Sequence, residues 1–195
     1  MLNREWQPLL DRIARDDARP PLVSIYQWVR NIPYGSKGIR EPRDVVAHNV
    51  GSCSGKHLLL RELLRAAGMR AEIVTMFTYF NEGMPVHDSF PDELRRLCRE
   101  TRVPDFHHYV RVADGERRLR LDATWHDALI PYGFPVNRDW RGEGDTVLAA
   151  TPVREYPAIE HLIPYKMLLI DSLAADEREL RARFFALVTD WIASL

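Results

Sequence analysis

The stretch His107-His108-Tyr109-Val110-Arg111-Val112-Ala113-Asp114-Gly115-Glu116-Arg117-Arg118-Leu119-Arg120-Leu121-Asp122 reads as one β-hairpin. Val110 and Val112 alternate with polar neighbours on the first arm, and Leu119 and Leu121 do so on the second. That period of two is the mark of a half-buried strand. Asp114-Gly115 is a strong two-residue loop signal, because a type I′ turn needs φ > 0 at both central positions. With these two in the loop, Ala113 pairs with Glu116, Val110 faces Leu119, His108 faces Leu121 and His107 faces Asp122. Directly opposed residues hold their Cβ atoms about 4.5–5.5 Å apart, within reach of a carboxylate–imidazole hydrogen bond. The same register sets Arg111 against Arg118, a like-charge pair that a nearby carboxylate, an anion or solvent must relieve unless the register slips.

An imidazole oriented by a carboxylate needs a nucleophile to become a catalytic unit. Cys53 is the candidate. It stands in Gly51-Ser52-Cys53-Ser54-Gly55-Lys56, just ahead of a segment where Leu59, Leu60, Leu63, Leu64 and Ala67 recur at helical spacing and Gly68 stops the helix. Ser52 or Ser54 serves as the cap. A thiol at a helix N-terminus meets unpaired N–H groups and the positive dipole end, which favour the thiolate and a developing oxyanion. Cys98, with no such setting, reads as a small buried hydrophobe. His107 is preferred over His108 as the base, because His108 shares its face with Val110 and Leu119, which looks like core.

These pieces together resemble the transglutaminase-like superfamily, the papain-type cysteine acyl transferases and hydrolases. The resemblance rests on Gly51-Ser52-Cys53, on Leu63 through Ala71, on His107-His108-Tyr109-Val110-Arg111-Val112, and on Leu121-Asp122-Ala123-Thr124-Trp125, in the family's order over roughly residues 22–130. Tyr109 stands where the family has Trp, Ala123 where it has Pro, and Arg111 where it often has an acid. The resemblance implies an α+β fold with a papain/transglutaminase-like core, N-terminal helices packed on an antiparallel β-sheet. It implies a Cys53–His107–Asp122 triad that acts through a thioester acyl-enzyme as an acyl transferase or amide hydrolase. The substrate would carry an amide or ester, with an amine or water as the acceptor. A cysteine protease, an arylamine N-acetyltransferase-like enzyme and a catalytically inactive binding scaffold are the alternatives.

The rest of the chain bounds this reading. A chain of 195 residues with 46% hydrophobic residues is long enough for one substantial core, and a single domain over 1–195 is expected. The net charge of −1 gives no attraction to nucleic acid or membrane. Two cysteines make no disulfide framework, and the stretch from Met1 to Trp6 lacks a leader's apolar core, so a cytoplasmic setting is expected. No phosphate loop, dinucleotide fingerprint or His-Glu-x-x-His is present, and no cofactor or metal is expected. Zinc on Cys53, His57 and His107 is the metal alternative, and a surface position for His57 is the plainer reading. Helices are expected over 5–16, 21–31 and 91–101, a short one at Pro42–Ala47, a two-faced apolar strand over 69–80, and a closing helix at about 174–195. That last helix buries Leu180, Phe184, Leu187, Val188 and Trp191. Residues 126–167 show no period and are expected to be irregular, with one strand near Thr146–Ala150.

Overall fold

A computed structural model describes residues 4–36 and 38–195 of the chain. Met1, Leu2 and Asn3, part of the stretch weighed as a leader, lie outside the described residues. Helices α1 (Gln7–Asp16), α2 (Pro21–Arg30), α3 (Pro42–His48) and α4 (Cys53–Ala66) come first. Strand β1 (Arg70–Tyr79), helix α5 (Asp92–Glu100), and strands β2 (Pro104–Asp114) and β3 (Arg117–Leu121) follow. The chain then adds β4 (Arg154–Glu155), α6 (Leu162–Asp171) and α7 (Ala175–Ala193). The four strands form one antiparallel sheet in the order β3-β2-β1-β4. The expected α+β architecture, N-terminal helices on an antiparallel sheet, is what the chain adopts.

Two apolar cores flank the sheet. The first joins α1, α2 and α4 to Ile73, Val110, Val112, Leu119 and Leu121. The second joins Val74, Met76 and Tyr109 to Phe184, Phe185, Val188 and Trp191 of α7. Helix α4 runs between them: Leu58 to Leu64 belong to the first core, and Cys53 at its start belongs to the second. Every residue from Cys53 to Arg61 is buried, so α4 is an axle of the fold rather than a surface helix. On α7 the expected stripe is buried at Phe184, Val188 and Trp191, with Leu180 and Leu187 packed at its edge.

The hairpin turn differs from the expected one. Asp114 pairs with Arg117, so Gly115 and Glu116 form the loop. Gly115 takes φ +61°, and among the described residues only Asn49 adopts a positive φ without being glycine. A turn with glycine at the first central position meets the backbone requirement with one glycine, whereas type I′ would also force Asp114 into the left-handed region. The register therefore moves by two residues: Val110 faces Leu121 and Val112 faces Leu119. A shift of two preserves which face each side chain occupies, whereas a shift of one would have reversed it. Arg111 now opposes Arg120 rather than Arg118, which is still a like-charge pair. Each arginine has its own carboxylate: Arg111 Nε donates to Glu72 at 2.6 Å, and Arg120 Nε to Asp145 at 2.7 Å.

Two further expectations fail between residues 126 and 171. The strand lies at Arg154–Glu155, beside Met76 and Phe77 of β1, not near Thr146–Ala150. The earlier stretch instead bonds to the end of β3, with the Thr146 N–H on the Arg120 carbonyl at 2.9 Å. Helix α6 occupies a region expected to be irregular. Its sequence, LIPYKMLLID, is apolar around most of the helix and so lacks a 3.6-residue period. Pro164 falls in its first turn, where a missing N–H costs nothing.

The segment after Thr146 is held in place by close backbone packing. A Cβ built on Gly83 would stand 2.1 Å from the Ala149 carbonyl oxygen and 2.7 Å from the Ala150 Cα. Gly83→Ala should therefore push this backbone aside, at a cost of about 1–3 kcal/mol for forced overpacking. Urea unfolding of the variant checks this. An unchanged midpoint would show that the two segments are not tightly seated.

Candidate active site

Cys53 begins α4, and its position follows from the loop before it. Ser52 caps the helix, its Oγ accepting the Gly55 N–H at 3.4 Å. The loop is pinned by backbone bonds from Gly35 N–H to the Gly51 carbonyl and from Gly51 N–H to the Pro33 carbonyl, both at 3.1 Å. Lys56, fully buried, donates its three ammonium hydrogens to the carbonyls of Arg30, Ile32 and Thr124 at 2.8, 2.6 and 2.9 Å. One lysine thus ties the thiol's helix to α2, to the loop, and to the segment after Asp122.

His107 Nε2 lies 2.8 Å from Asp122 Oδ2. Because Leu121 faces Val110, Asp122 comes level with Tyr109 and meets His107 on the diagonal of the sheet, which long side chains can span. His108 turns to the other face, with its Nδ1 3.2 Å from Thr75 Oγ1. The other ring nitrogen, Nδ1, is buried and has no hydrogen-bond partner among the described residues. Cys53 Sγ, a His107 ring nitrogen and an Asp105 carboxylate oxygen all lie within 4.8 Å of one another. The structure therefore brings together Cys53, His107 and Asp122, the residues read from the sequence, and leaves His108 and Cys98 out.

Asp122 is held from every side. Its Oδ2 also accepts the Ala149 N–H at 2.7 Å, and its Oδ1 accepts the Thr124 N–H at 2.9 Å and the Thr124 hydroxyl at 2.5 Å. Its backbone N–H reaches Thr146 Oγ1, and the Tyr26 hydroxyl donates to its carbonyl, each at 2.8 Å. Burial opposes ionisation of this carboxyl, but the charge and hydrogen bond of His107 outweigh it and hold Asp122 well below the usual carboxylate range. For His107, burial disfavours the cation, and the Asp122 carboxylate and the Cys53 sulfur overturn that, raising it to about 10. For Cys53, burial works against the thiolate, while Lys166 and His107 favour it strongly enough to lower the thiol below its ordinary value. Cys98 goes the other way, pushed up to about 11 by burial.

His57 is not a surface residue. It is fully buried, its Nδ1–H donates to the Cys53 carbonyl at 2.7 Å, and its Nε2 accepts the Ala123 N–H at 2.8 Å. Burial holds it neutral, the form this bonding pattern requires. Both ring nitrogens are thus engaged, which removes His57 from any zinc site. The group with metal-ligand spacing is instead Cys53, Asp105 and His107. An ammonium already stands beside it: Lys166 Nζ is 3.8 Å from Cys53 Sγ and 3.9 Å from Asp105 Oδ1.

Sequence reading missed Asp105, Lys166, Arg181 and the bracing role of Lys56. Asp105 carried a signal, since it sits two residues before His107 on a strand and so shares its face. Lys166 and Arg181 come from distant helices and carried none. The aromatics Tyr34, Tyr109 and Trp125 are buried core. Among the described residues, no helix is long and apolar enough to cross a membrane, and both cysteines are free.

The family model of the transglutaminase-like superfamily matches residues 8–125, which carry Cys53, His107 and Asp122. The chain belongs to that superfamily, whose members are in general cysteine-dependent enzymes. No curated protein matches the chain. Among solved structures it is similar to a candidate cysteine protease from Cytophaga hutchinsonii, at 18% identity and a TM-score of 0.43, over 60% of this chain. The chain spans 37% of the length of that protein.

The two raised and lowered groups give opposite pH signatures. His107 is raised in the folded state, so its stabilisation is complete below the unfolded value of about 6.5 and is lost as pH climbs toward about 10. Cys53 is lowered, so its stabilisation grows as pH rises to the unfolded thiol value of about 8.5. In the native protein the Cys53 gain offsets part of the His107 loss as pH approaches about 8.5, and stability falls more steeply above that. In Cys53→Ala the opposing trend is gone, and stability should fall from about pH 6.5 upward. Urea midpoints at about pH 6, 8 and 9.5 for both proteins check this.

Proposed function

We propose that this chain is a cysteine-dependent acyl transferase or amide hydrolase working through a thioester acyl-enzyme. Cys53 is the nucleophile, His107 the acid–base and Asp122 the residue that orients and charges the imidazole. One observation carries the proposal: a buried His107 is bonded through Nε2 to Asp122 and holds a ring nitrogen within 4.8 Å of the sulfur of a cysteine that opens a helix. Membership of the transglutaminase-like superfamily supports it.

In the resting site, Cys53 and His107 form a thiolate–imidazolium pair. The thiolate attacks the substrate carbonyl, and the carbonyl π electrons move to oxygen. The Cys53 backbone N–H and a second donor in the first turn of α4 hold that oxyanion. As the tetrahedral adduct collapses, His107 gives its proton to the departing nitrogen or oxygen, and the C–N or C–O bond breaks. Neutral His107 then takes a proton from the incoming amine or water as its nitrogen or oxygen bonds to the thioester carbonyl carbon, and collapse of this adduct breaks the C–S bond and restores the thiolate and imidazolium. A peptide or protein amide is the proposed acyl donor, and residues 1–195 are proposed to act as one domain. Cys53 is only 3% exposed, so the residues covering it must move for a substrate to bind.

The test uses an acyl probe that acylates the native protein, with release of its leaving group as the readout. Cys53→Ala should abolish turnover while leaving the fold intact. His107→Ala should cost about 10²–10⁴-fold, as expected for lost acid–base catalysis. Asp122→Asn should cost less than either, and the combined losses should fall far short of the product of the single ones. Full activity in Cys53→Ala would refute the nucleophile. Supplying an amine and comparing amide with acid product then separates transfer from hydrolysis.

A further inference from the structure

The ammonium of Lys166 is buried beside the thiol and has too few anionic partners to explain it. Its side chain, from α6, is 8% exposed. Its nearest neighbours are Ser54 Oγ at 3.2 Å and Cys53 Sγ at 3.8 Å. Asp105 Oδ1 stands at 3.9 Å, but that oxygen is already bound by Arg181 of α7 at 2.7 Å. A buried charge demands a paired charge. A neutral thiol and a hydroxyl would not supply one.

The signs of the surrounding groups lead to the same conclusion. With His107 protonated, Asp122, His107, Lys166, Asp105 and Arg181 are two anions and three cations. With His107 charged in this way, a Cys53 thiolate is the anion that balances these five groups. The other titratable neighbours add no anion to this set. Lys56, on α4 itself, spends its ammonium on three carbonyls. Burial holds His57 and His108 neutral and pushes the Tyr34 hydroxyl well up, so none of these contributes an anion.

We propose that Lys166 is a positioning residue of the active site, a second cation that shares the Cys53 thiolate with His107. This rests on the reading of Cys53 as the nucleophile and adds a regulator of its ionisation from a helix outside the family-matched region. Its consequence is a division of labour. With one cation fixed on the sulfur, the thiolate does not depend on His107 alone, and His107 can give up its proton to the leaving group while the site stays charge-balanced.

The experiment titrates the thiol in the full chain by thiolate ultraviolet absorbance and by iodoacetamide alkylation, with mass spectrometry to separate Cys53 from Cys98. In the native protein Cys53 should alkylate much faster than Cys98 near neutral pH. Equal rates there would sink the nucleophile reading itself, before Lys166 is tested. Lys166→Gln should raise the Cys53 midpoint by about 1–3 pH units, the usual effect of losing an opposite charge at this distance. Lys166→Arg should bring it back toward the native value. Asp105→Asn, which removes an anion from the set, should lower it. An unchanged midpoint in Lys166→Gln would overturn the proposal, and so would faster alkylation at every pH with the midpoint fixed, which would make Lys166 a steric cover. Should Lys166→Gln fail to fold, an unchanged or raised midpoint in Asp105→Asn would overturn it equally.

Discussion

The buried carboxylate of Asp122 is the constraint around which the site is built. An ionised carboxylate removed from water is costly unless its lone pairs are filled and its charge is met. Here the donors come from distant parts of the chain: His107 on β2, Thr124 just past β3, and Ala149 from the segment that Gly83 allows to approach. The same residue is fixed through its backbone by Tyr26 and Thr146. Satisfying one carboxylate therefore brings the sheet, α2 and the irregular segment into a single arrangement. Its charge then raises His107, and the imidazolium favours the thiolate.

The thiol is positioned by a separate set of contacts that converge on the same place. Helix α4 spans both cores, and its first turn is braced by Lys56 on three carbonyls and by His57 between the Cys53 carbonyl and the Ala123 N–H. His57 is thus a strut between the helix that carries Cys53 and the segment that carries Asp122. Buried polar groups of this kind rigidify only when fully satisfied, and both ring nitrogens of His57 and all three Lys56 hydrogens are used. A rigid first turn keeps Sγ and the helix N–H groups in fixed relation, as an oxyanion site requires.

How much of this could be read beforehand depended on whether a feature is local. The Ser52 cap, the leucine period after Cys53 and the Gly68 stop are local, and α4 forms where they indicate. The pairing of Asp122 with His107 rather than His108 followed from strand parity, which survives a two-residue error in register. The register itself was misread because Asp114-Gly115 satisfies the hairpin signal in either frame. The choice fell to which residue avoids a positive φ. Helix α6 was hidden by its uniform apolarity, and β4 by having only two residues. Lys166, Arg181 and the buried place of His57 depend on contacts across the fold, and no spacing in the chain announces them.

The central claim is electrostatic: at neutral pH, His107 is an imidazolium facing a thiolate, although it is fully buried. Nuclear magnetic resonance of ring-¹⁵N-labelled histidine, with His107 assigned by substitution, reads this directly. The account predicts that both His107 ring nitrogens carry protons across neutral pH and that the cation titrates near pH 10. His57 and His108 should remain neutral over the same range. A His107 ring with one bare nitrogen at neutral pH, titrating at or below the ordinary histidine value of about 6.5, would contradict it.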